Sequence, residues 1–205
     1  ANQIAAWASE HLSAAIQVLK AARRALPPSL ESWSSWSRFA AFARFDYVVG
    51  DATRDGALAQ LRAHLSHSSK RTARLVGLSG LGKSRLALEV FRPPVDRSAN
   101  LEQQTISDQL AYINAEESGH ELLGAVQAWR RDGVHGILIV DNCDKDLHNK
   151  LEQHVKHEDS NLSLLTIGPD PEAGATPTEN FPYIQLAPVD DSVITAMLKQ
   201  HYGAL

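Results

Sequence analysis

Apolar residues Ile4, Trp7, Leu12, Ile16 and Leu19 share one helical stripe, and Pro27-Pro28 ends it, so an amphipathic helix is expected over about 1–26. Trp33, Trp36, Phe39 and Phe42 recur every three residues between polar positions, which predicts a second helix with an aromatic side suited to core or interface rather than to ligand binding. After Phe45-Asp46-Tyr47-Val48-Val49-Gly50 a third helix is expected, capped by Thr53, with Leu58, Leu61 and Leu65 on its apolar face. The serine-rich basic stretch His67 to Arg71 reads as a linker. From Arg74 onward short apolar runs alternate with amphipathic ones, the pattern of βαβ units and a parallel sheet. Strands are expected at 75–78, 109–114, 136–140, 162–167 and 183–186, and helices at 83–91, 120–131, 146–157 and 191–201. Two longer connections, 92–108 and 169–181, have the length of mobile or functional loops.

Between the first strand and its helix lies Gly77-Leu78-Ser79-Gly80-Leu81-Gly82-Lys83-Ser84, which satisfies G-x-x-x-x-G-K-[ST]. Glycines at these positions let the backbone turn its N–H groups inward around phosphate oxygens, at the positive end of the helix that follows. The expected ligand is ATP or ADP: Lys83 is placed to neutralise the β- and γ-phosphates of ATP, and the Ser84 hydroxyl to ligate Mg²⁺. A second motif, Gly136-Ile137-Leu138-Ile139-Val140-Asp141, is an apolar strand ending in a carboxylate, the Walker B pattern. A parallel strand carries Asp141 to the carboxyl edge of the sheet, where it can hold Mg²⁺ directly or through water. The expected fold is therefore α/β: a three-layer α/β/α P-loop NTPase with a mainly parallel five-stranded sheet over 46–205, preceded by N-terminal helices in 1–45.

The group that activates water is less well defined. The position after Asp141 is Asn142, which cannot accept a proton as a base. Asp144 is the nearest carboxylate, and it reads equally well as the start of the next helix. Thr166, at the end of the fourth strand, is positioned either to meet a γ-phosphate or attacking water, or to sit as a β-former with a satisfied hydroxyl. Cys143 reads as a small apolar side chain. His148, His154 and His157 lack zinc spacing and read as a solvated helix face. Slow hydrolysis, or none without a partner, is the expectation.

Composition narrows the setting. The 205 residues carry a formal net charge of -4, which gives no general attraction to nucleic acid or anionic lipid, and direct nucleic-acid binding is not evident. One cysteine excludes an internal disulfide. No apolar run reaches the roughly 20 residues that span a bilayer, and no secretory signal opens the chain, so a cytoplasmic address is expected. The sequence starts without methionine and stops just after a helical pattern, which suggests a piece of something longer.

Gly77 to Val90 together with Ile139-Val140-Asp141-Asn142-Cys143-Asp144 resembles the nucleotide-binding domain of STAND NTPases, signal-transduction ATPases related to NB-ARC and NACHT modules and to AAA+ proteins. Tyr183 to Asp191 also resembles the family's last strand entering its lid helices. The resemblance covers about Phe45 onward, and it implies nucleotide contacts from Gly77 through Arg85 and adenine contacts from Val48 and Val49, although Asp51 stands where members usually have arginine. Ile167 and Gly168 stand where many members have an arginine after the sensor threonine. The winged-helix lid and repeat sensor that normally follow are not in this sequence. What the resemblance implies is a switch: ADP holds it closed, an unknown activating ligand opens it, and ATP supports self-association, in antiphage defence or in regulated transcription. Two other readings stand beside it: a nucleotide-stabilised scaffold without turnover, and a P-loop kinase, against which the absence of Arg and Lys from 169–181 counts.

Overall fold

The computed structural model describes residues 30–39, 47, 51–66, 69–93, 107, 109–169 and 183–203. The helix expected at 1–26, Phe42, the Val48-Val49-Gly50 segment and most of both long loops lie outside the described residues.

Among the described residues twelve elements follow in chain order: β1 (Glu31–Ser32), α1 (Trp33–Phe39), α2 (Ala52–Ser66), β2 (Thr72–Val76), α3 (Lys83–Val90), β3 (Leu110–Asn114), α4 (Ala115–Arg131), β4 (His135–Asp141), α5 (Lys145–Val155), β5 (Asn161–Gly168), β6 (Tyr183–Gln185) and α6 (Asp191–Tyr202). The strands form one sheet in the order β1-β3-β4-β5-β2-β6. The five strands expected from the sequence are all present and pair in parallel, and β1 adds a sixth, antiparallel at the β3 edge. So short a strand carries no periodicity of its own.

Each face of the sheet has its own core, because consecutive strand residues point to opposite sides. Leu75, Ile139, Leu165 and Ile167 meet Leu61, Leu65 and Leu86 of α2 and α3 on one face. Leu138, Val140, Leu162 and Leu164 meet Leu122, Val126, Leu151 and Val155 of α4 and α5 on the other. Covered on both sides, β2 and most of β4 and β5 are buried along their length, as parallel strands between helical layers must be. The last carbonyls of α3 are satisfied from its neighbours: Arg62 donates to the carbonyls of Val90 (2.9 Å) and Glu89 (2.8 Å), and the Trp33 indole donates to that of Leu88 (3.3 Å).

Two expectations change. The cap of α2 is Asp51, whose Oδ1 accepts from the N–H groups of Thr53 and Arg54 at 3.0 and 3.1 Å, rather than Thr53. An aspartate one residue before the first turn reaches two open amides. His148 is not on a solvated face. It shares the buried stripe of α5 with Leu151 and Val155, at i, i+3 and i+7. Cys143 is buried as expected, and burial pushes its thiol up to about 12. Among the described residues no helix is long and apolar enough to cross a membrane.

Candidate nucleotide-binding site

The loop between β2 and α3 has an unusual backbone. Gly77 and Gly82 have φ of 148° and 76°, and Gly80 has 82°. A side chain at Gly77 would also place its Cβ 3.0 Å from the Leu186 carbonyl oxygen, so glycine is required there for both torsion and space. Gly82 is the N-cap of α3 and supplies no side-chain acceptor. Helices α4, α5 and α6 begin with Asn114, Asp144 and Asp190, each accepting from an amide of its first turn, and α2 begins with Asp51. Helix α3 therefore starts with its amides uncapped by any side chain, at the loop where a phosphate would sit.

Leu78, Ser79 and Gly80 are exposed at the loop crest, while Leu81 packs its side chain toward the core. Lys83 folds back over the loop, its Nζ donating to the carbonyls of Gly77 (2.9 Å) and Leu78 (2.8 Å). Burial lowers the pKa of Lys83, and the Asp141 carboxylate opposes that shift, so the structure brings this lysine and the carboxylate at the end of β4 within electrostatic reach of each other. Ser84 is half-buried in the first turn of α3. Arg85 pairs with Glu89 one turn later (2.8 Å) and lies 5.9 Å from the Tyr47 ring centroid. Val48 and Val49 lie outside the described residues.

Asp141 is buried at the end of β4, in register with Asn114. Its Oδ1 accepts from the Asn142 N–H (2.9 Å) and its Oδ2 from the Tyr112 hydroxyl (3.2 Å). Asn142 adopts φ 53°, a left-handed conformation that asparagine tolerates, and its amide donates to Asn114 Oδ1 at 3.0 Å. Tyr112 and Asn114 were not singled out from the sequence. Their signal is a two-residue spacing on β3 that places them on one face, but matching that face to Asp141 requires the register between strands.

Asp144 accepts the Leu147 N–H at 2.7 Å and so caps α5. The structure does not bring Thr166 to the phosphate loop. In register with Val140 and Arg74, it points to the α5 face, opposite to Asp141. There it is fully buried, accepting from Arg74 Nη1 (3.2 Å) and lying 2.8 Å from His148 Nδ1.

Among the described residues no three His, Cys, Asp or Glu side chains form a metal cage. A hydroxyl and one carboxylate flanking a phosphate loop suit Mg²⁺, which takes few protein ligands and completes its octahedron with phosphate oxygens and water. Beside the loop, a cleft of about 390 Å³ opens between the starts of α2 and α6, lined by Asp51, Thr53, Arg54, Pro188, Asp190 and Ser192. Arg54 spans it, paired with Asp51 (3.2 Å) and donating to the Ala187 carbonyl (3.2 Å). A Cβ on Gly82 would lie 3.7 Å from its Nη1, which places the cleft next to the phosphate loop.

No family model matches the sequence, and no curated protein matches it. Similar solved structures include that of C. elegans PCH-2, at 12% identity over 74% of this chain and 48% of that one, with a TM-score of 0.44. Another is the crystal structure of the DnaC helicase loader, at 15% identity over 77% of this chain and 84% of that one, with a TM-score of 0.36. The chain thus spans about half the length of the PCH-2 chain it matches.

Proposed function

We infer that the chain binds ATP or ADP with Mg²⁺ at Gly77 to Ser84, as the nucleotide-controlled switch domain of a STAND-type NTPase. The observation that carries this reading is the start of α3, where a glycine N-cap in a left-handed conformation leaves the helix amides without a side-chain acceptor. Lys83 turns from its two loop carbonyls to the polyphosphate. Ser84 and Asp141 hold Mg²⁺, whose charge offsets that of the β- and γ-phosphates. The base and ribose take the cleft between α2 and α6, where backbone carbonyls, Arg54 and two aspartates offer polar contacts. Because the cleft is built partly from residues entering α6, nucleotide occupancy bears on how that helix sits, which is the differential contact a switch needs.

Calorimetry with ATP and ADP, with Mg²⁺ and with EDTA, tests the site: a folded protein that gives no heat with any purine nucleotide ends the reading. Size measurement of the full-length protein in ADP and in ATP tests the switch, with association in ATP the expected result. Assignment to defence rests on the resemblance of the two motifs to STAND proteins, and loss of phage resistance on Lys83→Ala in the native host is its test.

A second reading, a nucleotide-binding scaffold without turnover, draws on Asn142 in the position of a base and on Asp144 being engaged as a helix cap. Tight binding without phosphate release in the assembled protein favours it.

A further inference from the structure

Strand β1 is two residues long, yet it sets an aromatic pair over the edge of the sheet. Glu31 and Ser32 pair with Tyr112 and Ala111, and α1 begins at the next residue. The helix leaves the edge so that Trp36 lies flat on Tyr112, with ring centroids 4.2 Å apart and planes 11° from parallel. At 2% exposure Trp36 is closed to water, so the stack adds apolar burial to its ring contact. Trp33, one turn earlier, bonds the Leu88 carbonyl of α3. One N-terminal element thereby touches both the strand beside Asp141 and the helix behind the phosphate loop.

Tyr112 connects that element to the carboxylate. Its hydroxyl donates to Asp141 Oδ2, while the Asn142 N–H holds Oδ1. One donor on each oxygen fixes the plane of the carboxylate and therefore the direction of its remaining lone pairs, which is how partners of a metal-binding group tune it. Packing does not require this hydroxyl, since phenylalanine would fill the same space against Trp36.

We propose that Tyr112 is a positioning residue for Asp141, and that the Trp36 stack makes the β1–α1 element a regulator of the Mg²⁺-dependent part of nucleotide affinity. The proposal rests on reading Asp141 as the Mg²⁺ carboxylate of a nucleotide site. Displacing β1–α1 removes the ring that holds Tyr112 along with the Trp33 bond to α3, and loosening the Tyr112 bond to Oδ2 weakens Mg²⁺ binding. A segment that precedes the nucleotide-binding residues in the chain thus acts on the site through two aromatic rings.

The test compares ATP dissociation constants in Mg²⁺ and in EDTA for the whole chain. Wild type binds more tightly with Mg²⁺. Tyr112→Phe, which keeps the stack, is expected to lose roughly tenfold of that gain with its EDTA affinity unchanged. Trp36→Leu is expected to lower the same ratio by a smaller factor, and Trp36→Phe serves if the leucine variant fails to fold. A wild-type ratio in Tyr112→Phe overturns the positioning role and leaves the nucleotide site standing. Equal losses in Mg²⁺ and EDTA also overturn it, since they report general damage. A folded Trp36 variant with the wild-type ratio overturns the regulatory role of β1–α1. Wild-type affinity that does not respond to Mg²⁺ overturns the reading of Asp141 itself.

Discussion

The Thr166 hydroxyl lies 2.8 Å from Nδ1 of His148, joining β5 to α5 beneath the sheet. Arg74 completes the group, donating to Thr166 from the other side and to the Cys143 carbonyl at 3.1 Å. A second cation beside a buried guanidinium is unfavourable. Burial first, and the Arg74 charge second, lower the His148 pKa to about 4.

The sign of the pH dependence follows. Below the ordinary imidazole value of about 6.5 the unfolded chain takes up a proton that folded His148 refuses until about 4. Stability from this group is complete above pH 6.5 and declines as pH falls toward 4, by up to about 1.4 kcal/mol per pH unit. Urea midpoints measured from pH 7 to pH 4 for wild type and His148→Gln should differ in slope within that window. Parallel curves would show that His148 is not the group responsible.

Gly168 ends β5 against the turn after β4. A Cβ there would stand 2.2 Å from the Cys143 carbonyl oxygen and 3.1 Å from Arg74 Nη2. The first contact is with backbone, which is itself held because the Cys143 N–H donates to the Ile167 carbonyl at 2.8 Å. Gly168→Ala is expected to destabilise by about 3 kcal/mol, seen as a lowered urea midpoint at constant m.

Asp144 can be separated into cap and base. Asp144→Ala should cost about 1 kcal/mol through loss of the bond from the Leu147 amide, whereas Asp144→Asn caps equally well and should match wild type in stability. With the carboxylate engaged at the helix start, the asparagine variant is expected to keep whatever turnover the wild type shows. Turnover lost at unchanged stability would make Asp144 the base.

Lys83→Ala is the test of phosphate binding. At a nucleotide concentration of about 100 Kd, binding stabilises a protein by about 2.7 kcal/mol, or roughly 5 to 10 °C in Tm for a chain of this size. Wild type should show this rise with Mg-ATP, and the alanine variant none.

The parts of the site that were legible in the sequence are those written contiguously. Gly77 to Ser84 states its own turn, helix and ammonium, and the run into Asp141 states a buried strand with a charged end. Tyr112, Thr166 and His148 depend on something no local window contains: which strands are neighbours, in what register, and which helix covers which face. Thr166 follows an apolar run much as Asp141 does, but register with Val140 turns it to the opposite side. The cap of α2 was missed by two residues for a local reason, since Thr53 and Asp51 are both good caps and only the backbone decides between them.

Strand β5 lies between β2 and β4, although the chain makes it after both. Until residues 161–168 slot into place, the strand that leads into the phosphate loop and the strand that ends in Asp141 share no partner. Bringing the two motifs together thus depends on a segment that belongs to neither. A fragment stopping at residue 160 would keep every letter of both signatures and lack the strand that lies between them.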